Sequence, residues 1–278
     1  KYQFFKSFMK NNLGVSQGKE WKRRRIVNDE VLHLDRRHEL TRNINIYIKN
    51  LINSNSFNVF DDFLYASKKL ATKIVFNKDE IADEVFDFFE EVNNVKHYEN
   101  KNYKAPKYLR KNYYSYMNDN IEHPEPNSLV EIGRRHESDK EELLHQIPHW
   151  VFPIASIINS IVPRTLLLLL NHREKLFRVM AEIKESFNEN NWTTLFKLRY
   201  LRRCILETLR LNNNVVSLFR VLEIDFKFDD KYTFPKGTQF AIFTNPILRS
   251  KEYFEKPDEF YPERWSFDLE YKYLASIL

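Results

Sequence analysis

The chain has 278 residues, of which 42% are hydrophobic and 30% charged, a composition typical of a globular protein with a sizeable core. Its 4 Gly and single Cys exclude glycine-rich phosphate loops, disulfide frameworks and Cys-rich zinc sites. Such cysteine usage favours a reducing location, the cytoplasm or the cytoplasmic face of a membrane. The 44 Lys and Arg against 39 Asp and Glu leave a charge of +5, too small to select a partner, and we expect no nucleic-acid binding.

The first part of the chain carries a helical period. Apolar residues recur every three or four positions in "FDDFLYASKKLATKIVF" (60–76) and "DEIADEVFDFFEEV" (79–92), which predicts two packed amphipathic helices. Residues 94–128 are polar and rich in Tyr, with "HPEPNS" (123–128) as the clearest loop, and favour a linker-like surface region. A helix is predicted to resume around 137–146.

The most apolar stretch is "IPHWVFPIASIINSIVPRTLLLLL" (147–170), and an amphipathic segment (171–187) follows it directly. Because about 20 apolar residues suffice to span a bilayer, a membrane helix has to be considered. Six residues interrupt the stretch: His149, Pro153, Asn159, Ser160, Pro163 and Arg164. These interruptions favour a long helix buried in the centre of a helical domain, with a membrane-spanning helix as the alternative.

The next helix, in "RCILETLRL" (203–211), places Glu207 and Arg210 three residues apart and therefore on one face, among Ile and Leu residues. On a wet surface such a pair contributes only about 0.3–0.5 kcal/mol. Taken alone, the spacing indicates no more than a solvated helix face.

Beyond this helix the pattern becomes that of β-strands. Residues 215–243 alternate in part and are broken by "DDK" and "PKG", which predicts a small β element. At the second break we expect a type I turn with Pro235 in its second position and Gly237 in its fourth. The segment "YFEKPDEFYPERW" (253–265) contains two prolines and predicts an irregular loop held by aromatic side chains.

Taken in chain order, "ETLR", "PKGT" and "KPDEFYPERW", all downstream of a long apolar helix, resemble the second half of a cytochrome P-450. Upstream, "GKEWKRRR" is similar to the C-helix motif of that family, a Trp followed four residues later by an Arg. The resemblance runs from residue 14 to 278. It implies one domain over 1–278 with a mainly α fold and a small β portion, incomplete at both ends: the family's first strands and helices would precede residue 1.

The resemblance assigns a structural network to three residues. Glu207 and Arg210 match the family's ExxR pair, and Arg264 in "PERW" matches the third member of its Glu-Arg-Arg cluster. It implies that these groups form a buried ionic network which holds the loop on the helical body.

Three further residues match positions that bind the haem propionates in this family: Trp21, Arg25 and Arg220. Arginine suits this role because its planar guanidinium binds a carboxylate through two hydrogen bonds and stays charged. Without the resemblance, Trp21 reads as a core anchor, Arg25 as a surface charge and Arg220 as the solvent face of a strand.

The position of the iron ligand departs from the family pattern. The axial cysteine of the family lies in a glycine-containing loop shortly after PERW, and the printed residues do not include such a loop, so we assign no metal ligand. Cys204 lies on the ExxR helix one turn before Glu207, and we expect it to be a small buried hydrophobe.

The oxygen-chemistry position of the long helix departs as well. The family's acid-alcohol pair falls at Ser156 and Ile157, so the usual proton-delivering Thr is not matched. Thr165 and Asn159 lie elsewhere on the helix and do not match the motif, so we identify no catalytic residue.

For function, the resemblance implies a haem-thiolate mono-oxygenase, an oxidoreductase that binds haem iron and oxidises an unknown apolar substrate. Its electrons would come from a flavoprotein reductase or a ferredoxin. It also implies membrane association through an N-terminal part that precedes residue 1. The alternative is a non-catalytic relative that keeps the Glu-Arg-Arg network for folding and serves as a binding or interaction protein.

Overall fold

The structure, a computed structural model, describes residues 9–10, 12–32, 59–94, 103–137, 139–188, 191–212, 217–266 and 269. Over these residues the chain is mainly helical with a small β portion, and this part of the prediction is confirmed. The α-helices are α1 (Gly18–Val31), α2 (Val59–Phe76), α3 (Asp83–Asn93), α4 (Lys107–Glu122), α5 (Leu129–His136), α6 (Lys140–Asn171), α7 (Arg173–Ser186), α8 (Arg199–Leu211) and α9 (Thr244–Leu248). The strands are β1 (Ser217–Val221), β2 (Phe226–Lys227), β3 (Thr233–Phe234) and β4 (Gln239–Phe243).

The chain divides into two compact units, residues 1–159 and 160–278, and helix α6 contributes residues to both. The single domain predicted over 1–278 stays a prediction. Each unit has its own apolar core.

The core of the first unit is built mainly from α2, α3, α4, α5 and the first part of α6, with Val31 of α1. The Phe88 ring of α3 stacks on the Tyr113 ring of α4, with centroids 4.3 Å apart. Helix α4 lies inside 94–128, a region the sequence analysis predicted to be linker-like, and this prediction was wrong. Its apolar residues are diluted by polar ones, but Tyr113, Met117 and Ile121 repeat every four residues and are buried.

Helix α1 docks on α6 through a buried amide. The Asn28 Oδ1 atom accepts hydrogen bonds from Gln146 Nε2 at 3.0 Å and from Trp150 Nε1 at 2.8 Å. The Asn28 Nδ2 atom donates to the Arg24 carbonyl at 2.8 Å. All of these buried polar groups are therefore paired, as burial requires.

Helix α6 is one unbroken helix over Lys140–Asn171, although Pro153 and Pro163 each remove a main-chain donor. The prediction of central burial is wrong, because only 22% of its most apolar window is buried. In each unit α6 contributes one face to the core, for example through Trp150 in the first and Leu169 in the second. Among the described residues, this is the one helix whose length and composition would allow it to cross a membrane.

In the second unit, α7 and α8 pack with the end of α6 around a core that contains Val179 and Cys204. Strands β1 and β4 pair antiparallel, with Arg220 opposite Phe240, and β2 pairs antiparallel with β3. The loop after α9 ends in a short 3-10 helix, Pro262–Arg264.

The turn at "PKG" differs from the prediction. The Thr238 amide donates to the Pro235 carbonyl at 3.1 Å, so the turn begins at Pro235 and Gly237 is its third residue. Gly237 has a φ of +87°. A positive φ at the third position belongs to a type II turn, not type I, and glycine adopts it without a steric penalty.

We expect Gly133→Ala to destabilise the chain by about 1–3 kcal/mol through overpacking, even though Ala is the better helix former by about 1 kcal/mol. A Cβ at this position of α5 would lie 2.6 Å from Trp150 Cη2 and 3.0 Å from Leu143 Cδ1. Urea unfolding measures the difference. Ser115→Ala, at an exposed site of α4, is the matched control and should leave stability unchanged or slightly higher; equal behaviour of the two variants would contradict the close approach.

Candidate functional site

The centre of the site is the carboxylate of Glu207 on α8, which is fully buried. Its Oε1 atom accepts hydrogen bonds from Arg210 Nη2 at 2.8 Å, from the Tyr261 amide at 3.0 Å and from Arg264 Nε at 3.1 Å. Its Oε2 atom accepts from Arg210 Nε at 3.0 Å and from Trp265 Nε1 at 2.9 Å. Both oxygens are thus saturated, which offsets the cost of burying the charge.

Arg210, also fully buried, connects this carboxylate to the main chain of the following loop. Its Nη1 atom donates to the carbonyls of Leu248 at 2.7 Å and Pro257 at 2.6 Å. Its Nη2 atom donates to the Glu259 carbonyl at 3.2 Å in addition to Glu207. Every N–H of the guanidinium therefore has an acceptor, and the planar group fixes the loop at three points.

Arg264 approaches Glu207 from the loop itself. Its side chain is 5% exposed and donates through Nη2 to the Lys256 carbonyl at 2.9 Å and through Nη1 to the Glu255 carbonyl. The guanidinium carbon lies 5.2 Å from the centre of the Tyr261 ring, within the range of a cation–π contact. The structure thus brings Glu207, Arg210 and Arg264 together in one cluster.

Two uncharged hydrogen-bond donors of this cluster were not predicted from the sequence. The Trp265 indole and the Tyr261 amide complete the carboxylate's hydrogen bonds. Trp265 is part of "PERW", so its presence in the motif was the available signal, whereas a main-chain donor leaves no signal in the residue type.

Cys204 lies one turn before Glu207 on α8 and is fully buried, as predicted. Burial, reinforced by the negative charge of Glu263, raises the pKa of the thiol to about 12. The thiol is therefore protonated at neutral pH, and a protonated thiol is a poor metal ligand. Within the described residues, no group of three or more His, Cys, Asp or Glu side chains is arranged to hold a metal ion.

Two of the residues assigned to the haem propionates lie on α1 in the first unit. Trp21 is 43% exposed, so its alternative interpretation as a core anchor is wrong. Arg25, one turn later, is exposed, and its Nε atom lies 2.9 Å from Asp29 Oδ1. An indole N–H and a guanidinium at this spacing form a donor set that fits a carboxylate ligand.

Arg220, the third such residue, lies in the second unit on β1, and its side chain is exposed. It is a guanidinium on a paired strand, which again fits a carboxylate ligand chemically. The donor chemistry of all three residues thus suits propionates.

The basic segment "KEWKRRR" is bonded to acidic residues. Arg23 Nη1 lies 2.8 Å from Glu137 Oε2, and Arg23 also contacts Glu142. The Glu142 hydrogen bond is the largest cause of a raised Arg23 pKa. Arg24 lies 3.4 Å from Glu142. These ion pairs neutralise part of the positive charge of the segment, and the expectation of no nucleic-acid binding stays a prediction.

On α6, two side-chain hydroxyls make hydrogen bonds within their own helix. Thr165 Oγ1 is buried and donates to the Ile161 carbonyl at 2.8 Å. Ser156 Oγ donates to the Pro153 carbonyl at 3.3 Å. Both bonds are of the kind that Ser and Thr side chains commonly make to the preceding turn of a helix.

Comparison with known proteins agrees with the motifs of the second unit. A sequence profile described as cytochrome P-450 matches residues 160–274. The probable mitochondrial cytochrome P-450 12d1 proximal of Drosophila melanogaster is 36% identical over 98 residues, 35% of this chain and 18% of the relative. The C-22 sterol desaturase of Saccharomyces cerevisiae is 38% identical over 96 residues (31% and 18%), and the taxane 10-beta-hydroxylase of Taxus cuspidata 30% over 119 residues (40% and 24%).

The Glu-Arg-Arg cluster and the mainly α fold agree with these matches. Residues 160–274 of the chain match the cytochrome P-450 family. The match includes Glu207, Arg210, Arg220 and Arg264, whereas Trp21 precedes it. The matched segments span about a fifth to a quarter of the length of these curated relatives.

We expect Glu207→Ala and Arg264→Ala each to destabilise the chain by about 3–5 kcal/mol, because each removes one partner from a buried network of charges. The double variant should cost much less than the sum, since both substitutions remove the same interaction. Urea unfolding of all four proteins in the cycle measures this coupling.

The control cycle uses Arg249 and Asp258, an exposed pair 2.8 Å apart. Its coupling should be below about 1 kcal/mol. Additive effects of Glu207→Ala and Arg264→Ala would contradict the shared network.

We expect Cys204 to react with a thiol reagent at about pH 8 at least about a thousandfold more slowly in the native chain than in urea, because its pKa rises from 9.0 to about 12 and only the thiolate reacts. As the sequence has one Cys, the signal belongs to this residue alone. Labelling of the native chain at the rate of the unfolded chain would show that the thiol is accessible and ionised.

Proposed function

We propose that this chain is part of a haem-thiolate oxidoreductase of the mono-oxygenase type. The saturated cluster around Glu207, which lies in the segment matched by the cytochrome P-450 profile, is the observation that carries the proposal. Removing a carboxylate and two guanidinium groups from water costs free energy. The presence of the cluster therefore supports a need for a fixed loop geometry.

When bound, haem supplies the iron on which oxygen is activated. The chain's own contribution would be to hold and orient it. Trp21 and Arg25 on α1 and Arg220 on β1 would bind the propionates through indole and guanidinium N–H groups. Because Arg25 contacts Asp29, a propionate would compete with that carboxylate for the guanidinium.

The Glu207 cluster would act on the loop and not on the substrate. Arg210 and Arg264 hold five carbonyl groups of residues 248–259, which fixes the course of the chain up to Trp265. A cofactor site needs such a rigid support, because an error of about 1 Å in the position of a ligand costs most of the activity.

For the substrate we propose an apolar small molecule, with electrons supplied by a flavoprotein reductase or a ferredoxin. Relatives named for a sterol, a taxane and beta-amyrin support an apolar substrate.

One observation favours the second candidate function, a non-catalytic binding protein of the same family. The helix that carries proton-delivering groups in the family has Ser156 and Ile157 at that position, so the usual Thr is not matched. Such a protein would keep the Glu207 cluster for folding alone.

The test is a haem titration and a reduced, carbon-monoxide-bound spectrum of the full product of the gene that encodes these residues. We expect stoichiometric haem and a thiolate-type spectrum. Arg25→Gln and Arg220→Gln should each weaken haem binding by about tenfold, the effect of losing one charge-assisted hydrogen bond.

Arg249→Gln is the matched control, an exposed arginine paired with Asp258 and outside the assigned set. It should leave haem affinity unchanged. A gene product without haem uptake would overturn the proposal and favour the non-catalytic alternative, and equal losses in all three variants would remove Arg25 and Arg220 from the haem site.

A further inference from the structure

Glu263, which precedes Arg264, has an environment of its own within the second unit. The Tyr200 hydroxyl donates to Glu263 Oε1 at 2.6 Å. Arg178 Nη1 lies 3.4 Å from Oε1, and Lys175 Nζ lies 3.6 Å from Oε2. The carboxylate is therefore held by one hydroxyl and two cations.

The ionised form of Glu263 is favoured by these neighbours. Burial acts to raise the pKa of its carboxyl, but the Tyr200 hydrogen bond and the charges of Lys175 and Arg178 outweigh burial, and the pKa lies below its ordinary value. At neutral pH the carboxylate is charged and attracts both cations.

The groups that hold Glu263 are themselves fixed by helix α7. Glu182 accepts from the main-chain amides of Tyr200 at 2.7 Å and Leu201 at 2.9 Å, and so caps the start of α8. The Arg178 guanidinium lies 4.0 Å from the centre of the Tyr200 ring. Glu263 thus binds at the junction of α7 and α8.

Two consecutive residues therefore bind α8 at two separate points. Glu263 binds Tyr200 in the first turn of α8, and Arg264 binds Glu207, seven residues or about 10 Å further along the helix axis. Because Tyr261, Arg264 and Trp265 all bind Glu207, the contact of Glu263 with Tyr200 holds the turn at residues 261–266 at a second position along α8.

We propose that Glu263 is a positioning residue that fixes the turn at residues 261–266 on α7 and α8. Through it, the contacts of α7 and α8 are transmitted to this turn. The inference rests on the function proposed above, because the iron ligand of a haem-thiolate protein of this family would follow this turn in the gene product.

The first test measures amide hydrogen exchange of the chain in the Glu263→Gln and Tyr200→Phe variants. The amides of Arg264, Trp265 and Ser266 bond within the turn, to the carbonyls of Tyr261, Pro262 and Arg264. We expect their exchange to accelerate by about tenfold in either variant, with no further increase in the double variant, because both remove one contact. Unchanged exchange would overturn the proposal.

The second test uses the full gene product with haem and compares thiolate-type with thiol-type carbon monoxide complexes. We expect Glu263→Gln to shift this ratio toward the thiol type by about tenfold, while Glu252→Gln, an exposed glutamate of the same loop, leaves it unchanged. The unfolding midpoint is measured alongside, and a ratio that changes only in step with it would mark Glu263 as merely structural and overturn the inference.

Different results would contradict the haem-thiolate function and the positioning role of Glu263. A wild-type gene product without a thiolate-type complex overturns the proposed function, and with it the role of Glu263. A wild-type product with that complex, together with an unaffected Glu263→Gln variant, overturns the positioning role alone.

Discussion

The second unit depends on one constraint, which is that the carboxylate of Glu207 lies in a place that water does not reach. A buried charge of this kind is tolerated only when its oxygens are saturated and its charge is neutralised. Glu207 meets both conditions with donors from α8 and from the turn at residues 261–265, which includes the Trp265 indole. Loss of any one donor would leave a buried oxygen with fewer hydrogen bonds and weaken the whole cluster. The Cys204 thiol one turn earlier belongs to the same interior and stays neutral.

The cluster also explains how a long segment without regular secondary structure keeps a defined course. Residues 249–261 contain no strand and no α-helix, so their polar main-chain groups need other partners. Arg210 and Arg264 supply them by donating to carbonyls, and Phe254 packs beneath both guanidinium groups at 5.2 Å and 6.0 Å. The aromatic residues and the cations therefore stabilise the loop together, where a sheet would have used a neighbouring strand.

The sequence predicted those parts of the structure that depend on side-chain identity and order. Glu207, Arg210 and Arg264 were found because three motifs occur in a fixed order, and a buried role for Cys204 followed from its place on an apolar helix. Helix α4 was missed because polar and Tyr residues dilute its apolar stripe. The turn at Gly237 was placed one residue too early, because β-turns accept Gly at either the third or the fourth position. The burial of α6 was overestimated because hydropathy reports the composition of a helix, and only packing decides how much of its circumference finds a partner.

The acceptors that Arg210 and Arg264 use in the loop are main-chain carbonyls, at Leu248, Glu255, Lys256, Pro257 and Glu259. A carbonyl is present whatever the side chain, so most substitutions along the loop preserve its anchoring. The loop surface can therefore diverge in charge and shape between relatives while its path is inherited unchanged. Lys256 is an exception, because its φ of +47° restricts the residues that fit without strain. Single substitutions can therefore change the surface of the loop, whereas a single substitution in the Glu207 cluster would disturb the anchoring of the whole loop.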